Sequence, residues 1–95
     1  VPVLLRALDD PRPLVRRAAV LSLGWFPDPD EATIAAMTQL LNDEFLDVQF
    51  AVCQTLGDFG PDAGSATAAL EAYRDAGNAH QQHVARRALR RIRRE

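Results

Sequence analysis

The 95-residue chain has no lysine, a single cysteine and no apolar run long enough to cross a membrane. One cysteine cannot form an internal disulfide, so the fold must depend on packing, which suits a reducing compartment and predicts a cytoplasmic protein. A membrane span needs about 20 consecutive apolar residues, and the lack of such a run predicts no membrane partner. Aromatic residues make up only 6% and the net charge is −2, so the chain as a whole is not predicted to bind polyanions.

What is present is the ordinary composition of a globular protein. Apolar residues account for 47% of the chain and charged residues for 25%, a balance that excludes wholesale disorder and collagen-like structure. The length suffices for one small domain with its own core.

The charges are distributed unevenly along the chain. Residues 1–26 carry four arginines and two acids, residues 27–62 carry eight acids and no arginine, and residues 63–95 carry seven arginines and three acids. This alternation indicates separate structural units along the chain, each with its own surface.

The units are repeats. A shift of 33 residues aligns apolar and glycine positions of the first two units, and a further shift of 36 residues adds a weaker third copy. The clearest matches in the first shift are Leu8 with Leu41, Val15 with Val48, Leu23 with Leu56, Gly24 with Gly57 and Phe26 with Phe59. Self-similarity at this period is typical of stacked two-helix units, which share a core with their neighbours.

Each unit is predicted to contain two helices joined by a tight turn. In unit two, the first helix is predicted to run from near Asp30, where carboxylates suit the first turn, to near Asn42. Pro13 is predicted to be the first residue of a second helix, because its missing N–H would be unpaired there. The second helices are predicted to end at Gly24 and Gly57 in left-handed caps. No segment alternates with period two, so no sheet is predicted.

At this point the residues carry a family resemblance. Residues 8–19, which read LDDPRPLVRRAA, resemble the HEAT repeat in its short bacterial form, an armadillo-type α-solenoid. Residues 42–52 are similar and depart from the pattern at Gln49 and Phe50, and in the third unit the pattern is reshuffled to VARRA at 84–88. The resemblance covers essentially the whole chain.

The resemblance implies an all-α fold, a right-handed α-α superhelix of about three helical hairpins. It implies one HEAT-like domain over residues 1–95, with units at approximately 1–26, 27–60 and 61–95. The first unit enters in mid-helix, so we expect the chain to be a fragment of a longer solenoid. HEAT-repeat proteins are mostly scaffolds that bind other proteins, and a minority bind nucleic acid or differ more widely, so the resemblance implies a non-catalytic protein-binding scaffold.

Matching positions on the second helices are candidates for a protein-binding ridge. The candidate residues are Arg16, Arg17, Gln49, Phe50 and Arg86. An exposed Phe50 flanked by arginines has the composition of an interface hot spot, and the alternative is that Phe50 turns into the core. Trp25 aligns with Asp58, which predicts exposure, whereas Phe26 and Phe59 are predicted to pack behind the closing glycines.

The last predicted helix separates arginines from apolar residues. Its apolar residues fall within an arc of about 140°, and its six arginines fall in the remaining arc. One interpretation is the polar outer face of a terminal repeat. The alternative is an anionic partner, nucleic acid or an acidic protein surface, bound through Arg87, Arg90, Arg91 and Arg94. The acidic middle unit and the absence of lysine argue against nucleic acid.

Residues suited to catalysis are few. Cys53 lies within a predicted helix without a histidine nearby, which predicts a buried, unactivated thiol. His80 and His83 share a helix face but have only Asp75 near them, so no metal site is predicted. No phosphate-binding or dinucleotide-binding loop and no nucleophile elbow is present. The sequence therefore predicts no enzyme, no catalytic or cofactor-binding residue and no cofactor.

Overall fold

The computed structural model describes residues 2–26 and 28–94, most of which are helical. The helices are α1 (Pro2–Ala7), α2 (Pro13–Leu23), α3 (Glu31–Gln39), α4 (Leu46–Phe59), α5 (Thr67–Ala76) and α6 (Ala79–Arg93). Short 3-10 segments extend α3 over Leu40–Asn42 and join α4 to α5 over Gly60–Ala66. The described residues contain no strand, which confirms the all-α prediction. None of these helices combines the length and the apolar composition that a membrane crossing requires.

The helices begin where the local chemistry of the sequence places them. The Asp30 side chain accepts a hydrogen bond of 2.8 Å from the backbone N–H of Thr33, so α3 starts with a capped first turn, as predicted. Pro13 is the first residue of α2, also as predicted. The sequence analysis missed the start of α6, where Asn78 and Gln81 exchange side-chain-to-backbone hydrogen bonds in a capping box.

The helices form three consecutive pairs, and the second helix of each pair packs beside the next. Helix α2 lies against α4 and α4 lies against α6, while α1 packs on α2 and α5 on α6. The smallest dimension of the molecule is 16 Å, which fits two layers of helices packed about 8–10 Å apart.

One apolar core runs through all three pairs, and it is densest in the middle. Val48 of α4 is fully buried, whereas the matching Val15 and Val84 of the outer pairs are half-buried. The middle pair has a neighbour on both sides, and each outer pair has one in this structure. This gradient is the expected result of stacking units that share their core only with neighbours.

The predicted left-handed caps at Gly24 and Gly57 are wrong. Gly24 follows the last residue of α2 but keeps a helical φ of −64°, and Gly57 lies inside α4, which continues to Phe59. The residue with positive φ is Gly60, at 63°. Glycine adopts this conformation without the steric cost that a side chain brings.

Gly24 and Gly57 instead lie where consecutive second helices come closest. A Cβ atom at Gly24 would stand 3.0 Å from Cγ2 of Thr55 on α4. A Cβ atom at Gly57 would stand 3.3 Å from the Cα atom of Ala88 on α6. The 33-residue match between the two glycines therefore reflects a repeated helix–helix contact and not a repeated helix end.

Candidate functional site

The residues predicted to form one ridge lie in different environments. Arg16 turns towards the turns within the helix pairs, where its side chain is only 11% exposed. Its Nε donates to Oδ2 of Asp43 at 2.7 Å, and its Nη1 donates to the backbone carbonyl of Asp10 at 2.8 Å. Arg16 therefore ties the first turn to the second, and it is not free to contact a partner.

Gln49 continues the same network into the third pair. It is 9% exposed, and its Nε2 donates to the backbone carbonyl of Asp43. Its Oε1 accepts hydrogen bonds from the hydroxyl of Tyr73 at 2.8 Å and from Nε2 of Gln81 at 3.2 Å. We call the side of the molecule formed by residues 8–12, 43–45 and 77–78 the turn edge. Its polar groups connect all three helix pairs.

The carboxylates of the turn edge are held in their charged form. Burial alone would raise the pKa of Asp43, but hydrogen bonds from Arg16 and from the backbone N–H of Phe45 outweigh burial and lower it below 3.8. Side-chain and backbone hydrogen bonds from Arg12 lower the pKa of Asp10 to about 2. Both groups are therefore ionised at neutral pH.

Of the remaining ridge candidates, Arg17, Phe50 and Arg86 have accessible side chains. Arg17 and Arg86 are exposed, and Phe50 is half-buried with its ring centroid 4.7 Å from that of His80 in an edge-on contact. Arg86 lines a cleft with Arg74 on another side of α6. The five candidates therefore do not form one continuous ridge.

A groove between α4 and α6 lies beside Phe50. Its volume is about 360 Å³, and its lining includes the apolar side chains of Phe50 and Val84 and the exposed arginines Arg87 and Arg91. This α4–α6 groove combines an aromatic surface with positive charge. It can receive an apolar side chain that has carboxylates next to it.

The amphipathic character predicted for α6 is confirmed. Its buried residues are Ala85, Ala88, Leu89 and Ile92. Its exposed residues include Arg86, Arg87, Arg90, Arg91, Arg93 and Arg94. Arg91 pairs with Asp58 at 2.8 Å and Arg93 pairs with Glu71 at 2.6 Å. These pairs are partly solvated and contribute little to stability.

A second groove, which the sequence analysis did not predict, lies at the opposite ends of the second helices. We call the segments that join one helix pair to the next, residues 24–30 and 58–66, the connection edge. Trp25 is 87% exposed there, as its alignment predicted, and Phe26 is 46% exposed, which contradicts the prediction that it packs behind Gly24. The groove between these segments has a volume of about 310 Å³.

The groups with reactive potential are not arranged for catalysis. Cys53 is 1% exposed, and burial raises the pKa of its thiol to about 12, which confirms the predicted buried and unactivated cysteine. His80 and His83 are exposed. Within residues 2–26 and 28–94, side chains that could hold a metal ion do not gather in groups of three or more.

The chain is similar to one known family along almost its whole length. A family model described as HEAT repeats matches residues 1–90. No curated protein and no solved structure matches the chain. The match extends from α1 through most of α6, so it includes every helix pair described above.

Proposed function

The chain belongs to the HEAT-repeat family, and from this premise we propose that it is a non-catalytic scaffold that binds a partner protein along its second helices. HEAT repeats generally mediate protein–protein interactions, and the family is typically non-catalytic. Stacked units suit this task because they place equivalent side chains side by side on an extended surface.

We further propose that residues 1–95 form a single cytoplasmic domain of three units, at about 1–26, 27–60 and 61–95. The support is the continuous core, which includes residues from α1 to α6. The buried, protonated Cys53 fits a fold that does not depend on disulfide chemistry.

The α4–α6 groove is the observation that carries the proposed binding function. An aromatic side chain next to arginines is the composition that dominates binding energy at protein interfaces. We propose that the partner inserts an apolar side chain against Phe50 and Val84 and places a carboxylate near Arg87 or Arg91. Arg17, which holds the position matching Phe50 on α2, lies on the neighbouring helix.

Capture experiments with matched variants test this proposal. Proteins retained by the wild-type chain are expected to be lost with Phe50→Ala and with Arg87→Glu. The controls are Val3→Ala, which removes apolar surface that is 74% exposed on α1, and Arg74→Glu, which reverses a charge on α5. Circular dichroism establishes that all four variants fold. If the four variants retain the same proteins as the wild type, the groove is not the binding surface.

The exposed arginines of α6 favour a second candidate function, binding of nucleic acid. Arg90 and Arg94 lie on this face without lining the α4–α6 groove, so they separate the two candidates. The double variant Arg90→Glu, Arg94→Glu is expected to lose salt-dependent binding to DNA or RNA if phosphates are the partner. Protein capture through the groove is expected to survive this double variant. Absence of wild-type binding to nucleic acid at low salt eliminates this candidate.

A further inference from the structure

The connection edge exposes more aromatic surface than the stability of the fold requires. Trp25 is the only tryptophan of the chain, and it is 87% exposed beside Phe26, which is 46% exposed. Both rings line the same groove as Pro29 and Phe59. A concave apolar patch of this kind, built around an indole, is typical of an interaction site.

The same groove is negatively charged. Asp28, Asp58 and Asp62 line it, and all three come from the segment of residues 27–62 that contains no positively charged side chain. Helices α2 and α4 end at this edge, and the carbonyl groups at a helix C-terminus add partial negative charge. The sign of the charge is opposite to that of the α4–α6 groove, so the two grooves select different partners.

One guanidinium already lies near this groove. Arg91 reaches Asp58 with a distance of 2.8 Å between Nη1 and Oδ1. Among the described residues, no ion pair involves Asp28 or Asp62, and the cation–π contact that the structure contains is between Arg16 and Phe45 and not on Trp25. The groove therefore has two carboxylates and one indole face available for a cation.

We propose that this groove is a second docking site, which takes an arginine- or lysine-containing segment of a partner protein. The cationic side chain lies on the indole of Trp25, since tryptophan offers the strongest cation–π surface of the aromatic residues. Asp28 and Asp62 balance its charge, and Phe26 contacts the aliphatic part of the segment. An acidic or neutral segment would leave these carboxylates without a counter-charge. This site goes beyond the proposed function, because it lies at a different edge and recognises the opposite charge.

The single tryptophan makes the site directly observable. The probe is the peptide acetyl-Gly-Arg-Gly-Arg-Gly-amide, and the matched peptide has glutamine in place of both arginines. We expect the arginine peptide to change the emission of Trp25 saturably at low salt and the glutamine peptide to leave it unchanged. Equal effects of the two peptides would show that charge does not direct binding and would overturn the proposal.

Variants measured by calorimetry locate the site. Trp25→Ala is expected to weaken binding of the arginine peptide by about 3- to 10-fold, the range for a lost cation–π contact. Asp62→Asn is expected to weaken it also, whereas Glu44→Gln, which removes an acid of the same segment outside the groove, keeps wild-type affinity. Unchanged affinity of Trp25→Ala contradicts the proposal.

A second copy of the chain is the competing occupant, because α6 is itself rich in arginine. In that case the emission of Trp25 would change with protein concentration alone, and the double variant Arg90→Glu, Arg94→Glu would abolish the change. That result would overturn the proposal of a separate partner. Emission that is independent of protein concentration supports it.

Discussion

The turn edge and the connection edge are built from the same repeating unit, yet they treat their polar and apolar groups in opposite ways. At the turn edge, Arg16, Asp43 and Gln49 are largely buried, and hydrogen bonds join them to one another or to neighbouring turns. At the connection edge, Trp25 and Phe26 face solvent. A buried polar network specifies how units stack, because each unpaired member would cost free energy. The difference indicates that one edge stabilises the array and the other is available for binding.

The largest expected effect concerns the core on which both edges depend. Leu56 is fully buried, and Leu56→Ala is expected to lower the free energy of unfolding by about 2–5 kcal/mol through the cavity that it leaves. Leu14 is 76% exposed, so Leu14→Ala is a matched control with an expected change of about 0.5 kcal/mol or less. Urea denaturation followed by circular dichroism measures both. Similar losses for the two variants would contradict the assignment of Leu56 to the core.

A smaller loss is expected from the turn edge itself. Gln49→Ala removes the partner of Tyr73, Gln81 and the Asp43 carbonyl, and we expect a loss of about 1–3 kcal/mol in the free energy of unfolding. Gln54 lies on the same helix but is exposed, so Gln54→Ala is expected to cost about 0.5 kcal/mol or less. Equal stability of the two variants would remove the distinction between the edges.

Acid should weaken the turn edge in a defined direction. The folded protein lowers the pKa of Asp43 below 3.8, so the stability that this carboxylate contributes is complete above that value and is lost as the pH falls through the lowered pKa. Asp10, with a pKa of about 2, acts in the same sense. Asp43→Asn is expected to be less stable at neutral pH and to lose less stability on acidification. Parallel pH profiles for the wild type and the variant, measured by urea denaturation, would exclude this role.

The smallest effect on stability is expected at the connection edge. Trp25→Ala removes a side chain that is 87% exposed, so the free energy of unfolding is expected to change by about 0.5 kcal/mol or less. Binding of the arginine peptide is expected to weaken in the same variant. A large loss of stability would show that Trp25 supports the fold, and the two edges would then no longer differ in role.

The fold was predictable because its signals are local and periodic. Asp30, Pro13 and the apolar matches at 33 residues each depend on a few neighbouring residues, and the structure confirms the helices that they predicted. The glycines were misinterpreted for a related reason. A glycine that ends a helix and a glycine that admits a neighbouring helix occupy the same place in a repeat, and only the position of Ala88 beside Gly57 distinguishes them.

The candidate surfaces were less predictable because their partners are distant in sequence. Arg16 occupies an ordinary second-helix position, and the carboxylate that removes it from the surface, Asp43, lies 27 residues away. The acids of the connection-edge groove come from two separate connections, so the sequence showed an acidic segment without showing a groove. Trp25 was recognised as exposed because its aligned counterpart, Asp58, is charged.

The glycines at the helix crossings also determine the shape of a longer array. Gly24 and Gly57 both lie near the ends of second helices that face the connection edge, where they let the next helix approach. Each unit is therefore narrowed at one end and acts as a wedge, and wedges stacked in register produce an arc. The radius of that arc depends on a missing methyl group, so alanine at both positions would straighten it.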